Sequence, residues 1–384
     1  MQQKFVKNRL GGGLSKEWSN FNLIARTWRP MVEEMTARRK DDHLELCATQ
    51  EVEPLSNKTL FHRVHLVHCA MPEMALAEAD LSCQWFGKKL KAPLLITGMT
   101  GGTERALAVN QALARVAEKH GIALGLGSQR AMGERDELAS TFAVRNVAPN
   151  ALIIGNIGLR QAAELGIDRV RRLVEMIDAD ALALHLNPAQ ELAQPEGDRD
   201  FRGGYKLVEA LVEAFEGRLL VKETGCGISP KVAKRLVSLG IESIDVSGLG
   251  GTSWIRVEQL RNAAGEEGLE PEFASWGIPT AAAIASVRRS LGPMLHLVAS
   301  GGIRNGLEVA KALALGANIA GMALPFFKAV SSGGEAAASA LLEQLMRTLK
   351  QTLLLCGARN AEELRRKPKI IEQELHSWLE QLQE

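Results

Sequence analysis

The run Ala181-Leu182-Ala183-Leu184-His185-Leu186-Asn187-Pro188-Ala189-Gln190-Glu191 sets an imidazole, two carboxamides and a carboxylate behind a short apolar segment. Such groups can hold protons, orient a polar ligand and offer a hard anionic oxygen, a set for which a solvated surface loop has no use. The apolar part has the length of a buried parallel strand, and Asn187-Pro188 interrupts it, so the polar side chains gather where the strand ends. In parallel α/β proteins chemistry sits at that end. Taken alone, the run also fits a satisfied core histidine followed by an ordinary turn, and the rest of the chain has to decide.

Positioning these groups takes a scaffold, and the chain repeats one unit: a short apolar strand, a polar or Gly-rich turn, an amphipathic helix. Strands are expected at Leu94–Thr97, Ala123–Leu126, Leu152–Gly155, Ala181–His185, Leu219–Lys222, Ser243–Ser247, Leu295–Ala299 and Ile319–Met322. Ser229-Pro230 opens one intervening helix with a cap and a proline in the first turn, and Gly240 closes it. Asn305 with Glu308 opens another, which Gly316 ends. Eight such units with continuous apolar strands predict an α/β fold, a (β/α)8 barrel. A doubly wound sheet is the alternative, but Gly248-Leu249-Gly250-Gly251 is only a fragment of its glycine fingerprint. Helices over Glu335 to about Gly357 and near Ile370–Leu382 should pack outside the barrel. The organisation expected is an N-terminal extension over 1–36, to which the sequence assigns no role, and one barrel domain over 37–384.

Composition narrows the classes. The 384 residues are 46% hydrophobic and 24% charged, enough to bury a large core, and aromatic residues at 4% beside 36 glycines favour tight aliphatic packing. A formal net charge of +1 creates no field for nucleic acid or an anionic membrane. No apolar run approaches the roughly 20 residues of a membrane span. The five cysteines are scattered without a Cys-x-x-Cys pair, which argues for reduced thiols and a cytoplasmic setting. His62, His65, His68 and Cys69 lack ordinary zinc spacing and read as a polar surface.

All eight expected strand ends are furnished. They carry Thr97-Gly98-Met99-Thr100-Gly101-Gly102, then Gly127-Ser128-Gln129-Arg130, Asn156, the opening motif, Lys222-Glu223-Thr224-Gly225, Ser247 through Trp254, Ser300-Gly301-Gly302, and Ala323-Leu324. After the seventh strand, Gly301-Gly302 lets backbone N–H groups approach an anion, and the helix opening at Asn305 adds its positive end. Ala323 is small enough to leave room beside it.

In this order, Arg39-Lys40-Asp41-Asp42-His43, Met99-Thr100-Gly101-Gly102, Gly127-Ser128-Gln129-Arg130, His185 through Glu191, Lys222-Glu223, Gly250-Gly251-Thr252-Ser253-Trp254 and Ala299-Ser300-Gly301-Gly302 resemble the type 2, flavin-dependent isopentenyl diphosphate isomerases. The resemblance runs from about Arg38 to Ile371; the longer N-terminus is a departure. It implies FMN at the barrel mouth, used reduced, with NADPH as reductant, Mg²⁺, a small diphosphate substrate whose double bond is moved, and a homo-oligomer, a tetramer or octamer. It implies that Lys222 holds the N1/O2 edge of the flavin. Gly98, Met99, Thr100, Ser128, Asn156, Ser247, Thr252, Gly301, Gly302, Ala323 and Leu324 are then the further flavin contacts. Arg39, Lys40 and Arg130 become diphosphate clamps, with His43, Ser128, Gln129 and Gln190 as further substrate contacts. Gln190 and His185 are the catalytic candidates, and Glu191 is the magnesium ligand, since magnesium accepts one or two carboxylates beside phosphate and water. Whether Gln190 moves a proton or only orients the alkene stays open.

Two neighbouring chemistries lack their residues. A flavin-dependent 2-hydroxy acid oxidase needs a histidine base and an arginine anchor after strand six, where this chain reads Ser247-Gly248-Leu249-Gly250-Gly251-Thr252. An IMP-type dehydrogenase needs a nucleophilic cysteine after the sixth strand, and Cys226 follows the fifth. A non-catalytic flavin-carrying barrel would leave Glu191, Arg39 and Arg130 without a task.

Overall fold

Eight parallel strands close on themselves in chain order: β1 Leu94–Ile96, β2 Ala123–Gly125, β3 Leu152–Gly158, β4 Ala181–His185, β5 Leu219–Lys222, β6 Ser243–Asp245, β7 His296–Ala299 and β8 Ile319–Met322. The ring is completed where β8 pairs with β1, Ala320 standing against Leu94 and Met322 against Ile96. The computed structural model describes residues 39–54, 59–262 and 268–382. The expected extension over 1–36 lies outside them.

Period-two alternation sorts each strand. Leu95, Ala123, Leu152, Ile154, Ala181, Ala183, Leu220, Val298 and Ile319 point inward and fill the barrel, while Ile153, Leu182, Leu184, Leu219, Val221, Ile244 and Leu297 pack beneath the helices. Continued by two residues, the same alternation brings Asn156, His185, Lys222 and Asp245 inward as a polar layer above the apolar one. The ladder registers bear this out: Gly158 stands against His185, His185 against Lys222, and Lys222 against Asp245.

A hairpin of Cys83–Trp85 and Lys88–Leu90 plugs the opposite end of the barrel. Its Trp85 is buried against the inward-facing strand residues, and its indole N–H donates to Ser243 Oγ at 3.3 Å. Trp85→Ala should therefore destabilise the fold by about 3–5 kcal/mol, because the ring of strands cannot collapse into the void. Denaturant melts of the two proteins measure this, and a loss below about 1 kcal/mol would mean the hairpin is only a lid.

The helices carry the expected punctuation. Ser229 caps Pro230–Ser238 by accepting from Val232 N, and Asn305 caps Gly306–Ala314 by accepting from Glu308 N. Several strand ends shift by one or two residues, and three expected boundaries differ by three residues or more. β3 runs on to Gly158, so Asn156 lies within the strand. The long outer helix starts at Leu324 and continues to Leu355, with non-helical backbone at Gly333 and Gly334; that break reads in sequence as a start. Towards the C-terminus, Lys369–Ile371 forms a short strand against Val64–Leu66, and the last helix is Gln373–Gln381. The histidine cluster is a polar surface, with His65 Nε2 2.6 Å from Glu372.

Candidate active site

At the C-terminal end of the barrel two clefts of about 860 and 570 Å³ adjoin, and Gly98, Met99, Lys222, Thr224 and Trp254 line both. The first is ionic, with Arg39, Lys40, His43, Thr100, Ser128, Arg130, Asn156, His185, Asn187, Gln190 and Glu191 on its walls. The second is mostly backbone and small side chains, including Ser247, Thr252, Gly301, Gly302, Ala323 and Leu324. The expected residues thus converge, with one correction. Gln129 is fully buried and turned away from the mouth: its Oε1 accepts from Asn156 N at 2.9 Å and its amide donates to Leu173 O at 2.8 Å. It props β3 from behind and is no substrate contact.

The helix over 39–49 lies across the mouth, pinned by Leu44 and Cys47 against Val52, Val257, Leu324 and Phe327. It delivers Arg39, Lys40 and His43. Arg39 reaches Gln194 Oε1 at 3.3 Å, and Lys40 donates to the carbonyls of Gly101 and Ser128. Burial, with Arg39 and Arg130 alongside, lowers the Lys40 pKa to about 7. An anion entering this cleft meets a cationic group that gains charge on contact.

His185 has a defined tautomer. Asn156 Nδ2 donates to Leu126 O at 3.0 Å, so its Oδ1 faces His185 Nδ1 at 2.9 Å and must accept; the imidazole proton sits on Nδ1 and Nε2 is left as an acceptor. Burial, helped by Lys222, lowers the His185 pKa to about 3, which keeps the ring neutral. Glu191 is buried on the short helix Pro188–Ala193. Its Oε1 accepts from Asn187 Nδ2 at 2.9 Å and its Oε2 from Asp198 N at 3.0 Å, which orients the carboxylate and leaves lone pairs on both oxygens.

Two acidic residues at the mouth escaped the sequence reading. Glu258 on the helix Trp254–Arg261 is fully buried and binds the Gln194 amide at 2.6 Å, the Gln190 amide at 3.4 Å and Arg261 at 2.8 Å, with His43 Nε2 at 2.9 Å. Burial alone would raise its pKa, but His43 and Arg261 outweigh it and hold the carboxyl at about 2. Apart from Arg261 on the same helix, its partners lie far away in the chain, so no local pattern marks its place at the mouth. Asp245 does carry a signal: a carboxylate two positions beyond Ser243 inside an apolar strand, hence turned inward.

The residues fit a flavin. The Lys222 ammonium stands where the clefts meet, the Thr100 hydroxyl is buried without a hydrogen-bond partner in the cleft wall, and the turn at Gly301 (φ +104) and Gly302 (φ +83) keeps backbone at the surface of the second cleft. The carboxylate of Glu191 could also hold a magnesium ion. One oriented carboxylate faces the cleft, and among the described residues no cluster of three or more His, Cys, Asp or Glu side chains forms an all-protein cage.

Comparison with known proteins agrees with this geometry. Residues 150–372 match the FMN-dependent dehydrogenase family. An isopentenyl-diphosphate delta-isomerase of Thermococcus onnurineus is 44% identical over 91% of this chain and 95% of its own. Proteins of the same name from Pyrococcus furiosus and a Nostoc species are 42% and 43% identical, covering 90% and 86% of this chain and 89% and 94% of theirs. Among solved structures, a mandelate oxidase with an FMN adduct superposes with a TM-score of 0.60 at 20% identity, covering 83% of this chain and 91% of that one. A lactate oxidase of Pediococcus acidilactici gives 0.60 at 14%, covering 83% and 86%. At such identities these two speak for the fold alone.

Proposed function

The chain belongs to the isopentenyl-diphosphate delta-isomerase family, within the FMN-dependent barrels, and on that premise we propose that it interconverts isopentenyl and dimethylallyl diphosphate using reduced FMN and Mg²⁺. The observation that carries the reading is the meeting of an ionic cleft with a glycine-lined cleft at one lysine.

The reaction adds a proton to the terminal alkene carbon and removes one from the carbon two positions along the chain, with no net redox change. A bare alkene is a poor base, so its partner must be close, oriented and shielded from water. Bound reduced FMN supplies an electron-rich face for the cationic transition state and a nitrogen able to handle protons. The protein's part is electrostatics and position. Lys222 would hold the anionic edge of the flavin, and Thr100, Ser128, Asn156 and Thr252 would offer it polar contacts. Arg39, Lys40 and Arg130 take the diphosphate, the guanidiniums through bidentate contacts. Glu191 would hold the magnesium ion, whose charge would offset that of the diphosphate. Gln190 is fixed by acceptors and donors on either side: its amide N–H faces Glu258 and its oxygen faces Asn187 Nδ2 at 3.5 Å. That orientation suits an amide presented to the alkene. His185, neutral with Nε2 as acceptor, suits a donor on the flavin or on a water better than a phosphate oxygen.

Titration with FMN should give a saturable flavin absorbance change. Anaerobic turnover of isopentenyl diphosphate with Mg²⁺ and NADPH should form dimethylallyl diphosphate while NADPH is consumed only sub-stoichiometrically. Consumption of one NADPH per product would identify a reductase, and a protein that binds no flavin would remove the proposal altogether.

A further inference from the structure

The proposed reaction leaves one buried charge at the mouth without a task. Asp245, fully buried at the end of β6, points into the barrel and stands directly opposite Lys222 in the β5–β6 ladder. Its Oδ1 accepts from Ser247 N at 3.0 Å and from Ser300 N at 3.2 Å, and the Ser300 hydroxyl lies 2.8 and 2.9 Å from its two oxygens. One carboxylate therefore ties the left-handed backbone of Ser247 (φ +38) to the start of the Ser300-Gly301-Gly302 turn, beside the lysine on the neighbouring strand. The residues it holds all line the second cleft.

A carboxylate in a dry interior needs a facing cation, and a lysine there needs a facing anion. The other charged or titratable groups around Lys222 are spoken for. On its own loop, the Glu223 carboxylate accepts from the N–H groups of Gly225 and Cys226. From β4, His185 is neutral. Across the second cleft, Arg304 is paired with Glu53. We propose that Asp245 is the counter-charge that keeps Lys222 protonated and held for the flavin, a positioning residue that acts through the lysine; this rests on the FMN reading above. Burial lowers the Lys222 pKa, and Asp245 is the strongest influence in the opposite direction. Burial likewise raises that of Asp245, and Lys222 is the strongest influence bringing it down.

The sign of the consequence is defined. Without Asp245 the lysine gives up its proton at lower pH, and a neutral amine holds the flavin edge less well. Affinity for FMN then falls as pH rises through that point and returns on acidification.

The test is FMN titration of wild type and Asp245→Asn from pH 6 to 9, with Ser300→Ala as a variant that keeps the charge. Asp245→Asn should lose about tenfold or more in affinity at the alkaline end and recover most of it at the acid end. Ser300→Ala should be weakened evenly across the range. Equal loss for Asp245→Asn at every pH, or no loss, overturns the inference while leaving flavin binding by the wild type intact. If wild type itself binds no FMN, it is the proposed function that fails. A flavin-free measurement covers the case in which Asp245→Asn does not fold. In thermal unfolding of apoprotein, Lys222→Met strands the carboxylate, and adding Asp245→Asn should recover stability. A double variant less stable than Lys222→Met, or equal to it, overturns the pairing.

Discussion

Lys222→Ala should lose on the order of 10²-fold in affinity for FMN and fail to stabilise the reduced anion, the largest effect on flavin binding expected of any single side chain at the mouth. Lys222 lines both clefts, its ammonium donates to Glu223 O at 2.8 Å, and its position in the strand ladder is opposite the buried Asp245. Alanine removes a charge-assisted contact in a low-dielectric site and also strands a carboxylate, so two penalties act in the same direction. The measurement is a pair of titrations, with oxidised and with reduced FMN. A larger loss for the reduced form identifies the contact with the anionic edge; equal losses would reduce Lys222 to a packing element, and unchanged binding of both would displace the flavin from this strand end.

Glu191→Gln separates the metal from the flavin. It keeps the shape of the side chain and an oxygen acceptor but deletes the hard anionic ligand. Asn187 and Asp198 N orient this carboxylate, and the flavin-lining residues of the second cleft lie on other strands, so flavin content should stay near the wild-type level. Activity should fall by roughly 10²-fold or more, or demand far higher magnesium, as expected for loss of a charge-assisted contact in a water-poor site. Rate against Mg²⁺ concentration decides between the two residues of the motif: Gln190→Glu should damage turnover without a comparable change in magnesium demand. Wild-type rate and wild-type magnesium dependence in Glu191→Gln would make the carboxylate a brace for the loop at Asp198 and move the substrate elsewhere.

The barrel was legible because its determinants are local. Short apolar runs, helix caps at Ser229 and Asn305 and strand-end glycines each declare themselves within a few residues. The glycine-lined cleft and the motif of His185, Gln190 and Glu191 were legible for the same reason. Gln129 was misplaced since its neighbours Ser128 and Arg130 both line the cleft, and only the turn of the backbone sends the side chain between them into the wall. Asp245 lay inside an expected strand and was passed over, although alternation from Ser243 turns it inward. Glu258 is of another kind. Its partners come from the helix over 39–49 and from the strand-four loop, and such a meeting is a property of the closed fold.

That closure depends on a single pairing between strands remote in sequence. Every other contact in the ring joins consecutive strands, while β8 must return to β1. During synthesis from the N-terminus, a growing barrel of seven strands therefore carries two open edges, each able to pair with another chain. Both vanish with the last strand. Gly321, Met322, Ala323 and Leu324, on that strand and just beyond it, also form part of the wall of the second cleft. The loss of the open edges and the completion of the cleft thus coincide, so that binding of a coloured cofactor there would report, molecule by molecule, that a chain has passed beyond its most aggregation-prone state.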